Sequence, residues 1–128
     1  VLEAKDALGR VPRLNEDLLD VRKHYLDAGD MFWLAIDAND RVIGCIGYRS
    51  LHHTTEVRLH RLYVKAARKR QGIGTCLLQT AEQYLRDCGK TAAYVHLGGK
   101  EYFASRCFYP KHGYRECGTD MMKKELYL

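Results

Sequence analysis

The sequence predicts an α/β fold of the α+β type: a mixed, mostly antiparallel twisted sheet with helices on both faces. Three observations point there. Apolar segments of strand and helix period follow one another in the order α-β-β-β-α-β-α-β-β. The segment 91–97 follows a helix, so parallel pairing with strand 56–64 is expected, whereas short turns elsewhere make antiparallel neighbours. The 128 residues, 46% hydrophobic and 29% charged, suit one domain with its own core and exclude a disordered chain or a coiled coil.

The elements follow in order. Residues 15–29 read as a helix, with Asn15 as N-cap, Leu14 stapling onto Leu19, and Leu18, Val21, Tyr25 and Leu26 as its apolar face. Gly29 ends it. Residues 31–37 and 41–49 read as strands, and Ala38-Asn39-Asp40 between them is turn chemistry, so a hairpin is expected. After a loop at 51–55, strand 56–64 alternates. Val57, Leu59 and Arg61 are expected on one face, and Glu56, Arg58, His60, Leu62 and Val64 on the other. A helix opens at Gly72-Ile73-Gly74-Thr75, with Leu77, Leu78, Ala81, Tyr84, Leu85 and Cys88 as a stripe of helical period and Gly89 as its stop. Strand 91–97, a helix at 100–109 stopped by Pro110, and two closing strands at 114–117 and 121–128 complete the chain.

Several function classes drop out. No apolar run approaches the roughly 18 residues of a membrane span, and the first residues lack the layout of a secretory signal. Five cysteines form no CxxC and no Cys/His ligand spacing, so no metal site is expected. Their odd number suits free thiols in a reducing compartment, the cytoplasm or the nucleus. Cys76 and Cys107 are expected in the core from their helical placement. The net charge of +5 is unevenly spread: no acid occurs between Glu56 and Glu82, while Arg58, Arg61, Lys65, Arg68, Lys69 and Arg70 fall in that gap. Such a run is either a solvated face or a site for phosphate.

The segment Leu62–Leu78 runs from a strand through a basic, glycine-containing loop into a helix. Gly72 and Gly74 let main-chain N–H groups converge on an anion, and the helix N-terminus adds partial positive charge. Leu77 stands where a dinucleotide fingerprint needs glycine or alanine, and Tyr84 where a Walker loop ending at Gly89-Lys90-Thr91 needs glycine. Further on, Phe108-Tyr109 is followed three residues later by Gly113-Tyr114. Together the two segments resemble motifs A and B of the GNAT superfamily, the acetyl-CoA-dependent N-acetyltransferases. The order of elements from about residue 15 to 128 is similar too. The chain is then expected to be a single N-acetyltransferase domain over 1–128, with the family's first strand missing ahead of residue 15. Lys69 stands where the motif has Arg or Gln, Tyr102 where it has Asn, and Ser105 where it has Ala.

The resemblance implies acetyl-CoA as cosubstrate, lying in a gap splayed between the central parallel strands 56–64 and 91–97. Leu62, Tyr63 and Val64 would meet the pantetheine arm, and Lys69, Arg70, Gln71, Gly72, Gly74 and Thr75 the pyrophosphate. Tyr109 matches the tyrosine that protonates the leaving thiolate. The glutamate that some members carry before motif A falls on Arg58, which leaves Glu56 and His60 as candidate bases, and a bulge in the strand would remove them. The expected reaction is acetyl transfer to a primary amine by direct attack. The expected partner is a small-molecule or peptide amine, with no nucleic acid and no membrane, in a monomer or homodimer. A CoA-binding sensor and a basic nucleic-acid-binding module are the alternatives. His52, His53, Glu56 and Asp120 are expected to line the acceptor side, a mixture suited to a cationic amine.

Overall fold

The computed structural model describes residues 25–26, 29–52, 54–97 and 103–127. Most of the helix expected at 15–29, and the start of the one expected at 100–109, lie outside them. Six strands form one sheet: β1 Phe32–Ile36, β2 Val42–Ser50, β3 Glu56–Val64, β4 Ala92–His96, β5 Arg115–Gly118 and β6 Met121–Glu125. Their spatial order is β1-β2-β3-β4-β6-β5. Among the described strands, β3 and β4 alone pair in parallel. Helix α1, Ile73–Asp87, makes the crossover between them, and α2, Phe103–Lys111, leads from β4 into the closing hairpin.

Local chemistry explains the connections. In the β1–β2 turn the Asp37 carboxylate accepts the main-chain N–H groups of Asn39 at 2.8 Å and Arg41 at 3.0 Å. Those bonds, the one from Arg41 above all, hold Asp37 below the usual carboxylate range. Its other oxygen takes the Arg68 guanidinium at 2.9 Å, tying the loop after β3 to this turn. Helix α1 lays Leu77, Leu78, Ala81 and Leu85 on Ile46, Tyr48, Val57, Leu59, Ala93 and Val95 of the sheet. The opposite face of the sheet meets Tyr25, whose ring packs on Phe32 with centroids 4.9 Å apart.

Pro110 does not stop α2 as expected. The helix passes it by one residue, because a proline near a helix end removes only one main-chain bond. The stop is Gly113, at φ +92°. There the N–H of Tyr114 returns to the carbonyl of Tyr109 and that of Gly113 to Pro110, the glycine-closed helix end. The accompanying apolar contact is Tyr109 against Tyr114, edge to face at 5.2 Å. The Tyr109-x-x-x-Gly113-Tyr114 spacing is therefore a helix stop that fixes the tyrosine ring. Helix α1 ends the same way at Gly89.

One polar residue sits in the α1 apolar stripe. Glu82 is 3% exposed, accepts the Tyr114 hydroxyl at 2.7 Å and the Lys124 ammonium at 3.0 Å, and lies 3.9 Å from Arg86. It locks α1 to the closing hairpin. Removing one partner of a buried pair leaves a charge without compensation. Lys124→Met should therefore cost about 3 kcal/mol, read as a fall in melting temperature. An unchanged melting temperature would show that Tyr114 and Arg86 suffice for Glu82.

Candidate active site

Pairing between β3 and β4 covers only Glu56 to Arg58 against Ala92 to Tyr94. Beyond Arg58 the strands part, while β3 stays paired with β2 as far as Val64. A cavity of about 240 Å³ fills the gap. From the α1 side it is lined by Leu59, Leu62, Val95, Leu97, Ser105 and Tyr109, and from the other by Arg58, His60, Arg61, Tyr63 and His96.

A β-bulge shapes the opening. Between the pairs Cys45–Tyr63 and Gly47–His60, one residue of β2, Ile46, faces two of β3, Arg61 and Leu62. Arg61 takes φ +59°, and its carbonyl accepts the buried Cys45 thiol at 3.2 Å. The bulge corrects the regular alternation expected from the sequence. Leu62 packs against the core below α1, and Val64 lies 3.7 Å from where a Cβ on Gly74 would stand. Arg61 instead joins the opposite face, where its guanidinium reaches the Tyr63 hydroxyl at 3.4 Å. Glu56, Arg58 and His60 stay together on that face, since the extra residue comes after them.

The candidate bases are separated by this geometry. His60 lines the cavity. Glu56 sits at the closed end of the gap, where it accepts the Tyr94 hydroxyl at 3.1 Å and pairs with Lys123 at 3.4 Å. Asp120 is held by Arg106. Neither acid lines the cavity, whose described lining holds two arginines, two histidines and no carboxylate. Glu56 and Asp120, expected on the acceptor side, are thus engaged with Lys123, Tyr94 and Arg106. His52 is exposed and outside the cavity, and His53 lies outside the described residues. Arg58 donates to Nδ1 of His96 at 2.9 Å. A guanidinium has no lone pair to offer, so His96 carries its proton on Nε2. This pair was not legible in the sequence, because it depends on the β3–β4 register.

Tyr109 comes from the last turn of α2 and is 5% exposed. Arg106, one turn earlier, donates to the Leu97 carbonyl at 2.9 Å and clamps α2 to the end of β4. The Tyr109 ring is wedged between Phe108 and Tyr114, each 5.2 Å away. Burial pushes its phenol well above the ordinary value.

Past β3 the chain makes a 3-10 turn, Ala66–Arg68, then exposes Lys69, Arg70, Gln71 and Gly72 before α1. Gly72, at φ +80°, is the N-cap, and no side chain caps the helix. The first N–H groups of α1 therefore lack an intrahelical acceptor. Lys65 donates its N–H to Ile43 of β2 at 2.8 Å, so alternation turns the main-chain groups of Val64 and Leu62 to the opposite edge, toward the gap. Thr75 bonds His112, the residue just past the end of α2. Cys76 and Cys107 are exposed, contrary to expectation, because each falls on the outer side of its helix, and among the described cysteines only Cys45 is buried.

A mixed sheet split between its parallel strands, with a glycine-started helix at the mouth of the split, is the fold of the GNAT acyltransferases. The chain belongs to the acetyltransferase (GNAT) family, whose model matches residues 3–114; acetyl-CoA is the cosubstrate of that family. It is 28% identical over 107 residues to human N-acetyltransferase 8, covering 80% of this chain and 46% of that protein. It is 32% identical over 83 residues to rat N-acetyltransferase 8B, covering 61% and 37%. The chain spans about half or less of the length of the curated relatives it matches. Among solved structures, a GNAT acetyltransferase of Staphylococcus aureus superposes with a TM-score of 0.82 at 20% identity, over 93% of this chain and 82% of that one. The PaiA N-acetyltransferase of Thermoplasma acidophilum, in complex with coenzyme A, gives 0.70 at 26% identity, over 86% and 70%. Among the described residues no helix is long and apolar enough to cross a membrane.

Burial raises the phenols of Tyr109 and Tyr114, and that of Tyr48 to about 12. A group whose folded value is raised keeps its proton where the unfolded chain has lost it. Stability is then full below the unfolded value, about 10 for tyrosine, and falls as pH rises beyond it. The melting temperature should drop from about pH 10 upward, and Tyr109→Phe should drop less steeply than the parent. Parallel curves for the two proteins would contradict the buried phenol.

Proposed function

We propose that this chain carries an acetyltransferase domain that moves the acetyl group of acetyl-CoA to a primary amine by direct attack, with no acyl-enzyme. The observation that carries this reading is the parallel strand pair that opens into the cavity holding Tyr109. The residues fit the cosubstrate. The open edge of β3 offers main-chain groups that none of the described strands takes up beyond Arg58, and the uncapped start of α1 suits an anion. The likeness to an N-acetyltransferase described with coenzyme A supports the same assignment.

Bound acetyl-CoA supplies a thioester, whose carbonyl carbon bonds the amine nitrogen while the carbon–sulfur bond breaks. Leu62 and Val64 take the pantetheine arm through their main chain, with Tyr63 between them facing β2. Lys69, Arg70, Gln71, Gly72, Gly74 and Thr75 hold the pyrophosphate. The main-chain N–H of Leu62, on the cavity wall, polarises the thioester carbonyl. Tyr109 gives its proton to the departing sulfur. His60 takes the proton the amine loses, and the two cavity arginines favour the neutral amine by repelling its ammonium form. Glu56, engaged by Lys123 and Tyr94, is the lesser candidate. Arg58 and Arg68 of the basic run are committed to His96 and Asp37, which disfavours a nucleic-acid surface.

The test is kinetic. Tyr109→Phe should lower kcat by about 10²–10⁴ and leave acetyl-CoA affinity unchanged. His60→Gln should flatten the acidic limb of the pH–rate profile, and Glu56→Gln should not. Charge reversal at the exposed Lys69 and Arg70 should weaken CoA binding, and added salt should shrink the difference. A parent-like rate in Tyr109→Phe at saturating acetyl-CoA removes its role as acid.

A further inference from the structure

The last turn of α2 lies against the first turn of α1. Phe108 is 3.7 Å from where a Cβ on Gly74 would stand. His112 packs on Phe108, with ring centroids 4.6 Å apart, and sets its Nε2 3.3 Å from Oγ1 of Thr75. His112 occupies one of the three unspecified positions between Tyr109 and Gly113, so neither the motif nor the mechanism above uses it.

Resting on the pyrophosphate reading of the 69–75 loop, we propose that His112 is a positioning residue that makes Thr75 a hydrogen-bond donor to the cosubstrate's pyrophosphate. The reason is proton counting. A threonine hydroxyl has one proton and a phosphate oxygen has none. Between His112 and a phosphate, Thr75 can serve both only by donating to the phosphate and accepting from the imidazole. Nε2 of His112 must then carry a proton. With Nε2 bare, the imidazole takes the Thr75 proton, and the hydroxyl turns its lone pairs toward the anion, where they repel it. The Phe108 contact and the glycine stop at Gly113 hold the imidazole in place, so it is oriented before the ligand arrives. The end of α2 thus serves both ends of the cosubstrate, Tyr109 in its last turn at the thioester and His112 just past it at the pyrophosphate.

Dephospho-CoA is the probe, since it keeps the pyrophosphate and lacks the separate phosphate that titrates near neutrality. Calorimetric affinities are compared for the parent, Thr75→Val, His112→Leu and the double variant. Each single change should weaken binding about tenfold, the scale of one hydrogen bond to a charged group. The double should be no weaker than either, because both remove the same bond. His112→Gln, whose amide N–H₂ reaches the place of Nε2, should bind within about threefold of the parent, which a merely structural role for the ring would not produce. Nitrogen NMR should show Nε2 of His112 protonated in the complex, a readout that does not depend on how well His112→Leu folds. Additive losses, parent-like binding by His112→Leu, or a bare Nε2 in the complex would each overturn the proposal. Failure of the parent itself to bind dephospho-CoA would instead remove the pyrophosphate reading, and this proposal with it.

Discussion

The site depends on a strand pair that stops pairing. Parallel strands inside a sheet normally satisfy each other's main-chain groups along their length, because a buried N–H or C=O without a partner is costly. Here β3 and β4 separate after Arg58 and Tyr94, although β3 continues for six residues beside β2. Among the described strands none lies beside that edge of β3 beyond Arg58.

The bulge at Arg61 and Leu62 keeps that edge usable. It turns Leu62 into the core under α1 while leaving His60 and Arg61 on the opposite face, so one strand serves both walls of the cavity. The left-handed arginine is strained. The buried Cys45 thiol on its carbonyl is the local compensation. Helix α2 completes the enclosure. Arg106 fixes its start to the end of β4, and the Tyr109–Tyr114 closure fixes its end. Glu82 then ties Tyr114, and with it the end of α2, to α1.

Much of this was legible in the sequence because it rests on short-range rules. Turn residues marked the β1–β2 hairpin, the leucine stripe marked α1, and strand–helix–strand order gave the parallel pair. The Gly72-x-Gly74 loop marked the start of α1, and the Tyr109-x-x-x-Gly113 spacing helped to carry the family resemblance. The illegible features depend on register or on a single irregular residue. No pattern announces that Arg61 adopts a positive φ, so the face assignment of residues 61, 62 and 64 inverted. The neighbours of Glu56 come from β4 and β6, 38 and 67 residues further along the chain, and only the sheet register brings Tyr94 and Lys123 to it. Pro110 misled in a different way: its effect on a helix depends on how many turns remain, and only one residue remained.

The charge pattern acquires its meaning from the same register. As a run in the sequence, Arg58 to Arg70 reads as one basic patch. In the fold it divides in three. Arg58 and Arg61 line the cavity, Arg68 braces the hairpin turn at Asp37, and Lys69 and Arg70 stand exposed at the start of α1. A carboxylate base would be poorly placed between the first two, because ion pairing would favour its charged form and weaken it as a proton acceptor. Sheet register thus decides that Arg58 and His60, and not Glu56, stand at the cavity wall.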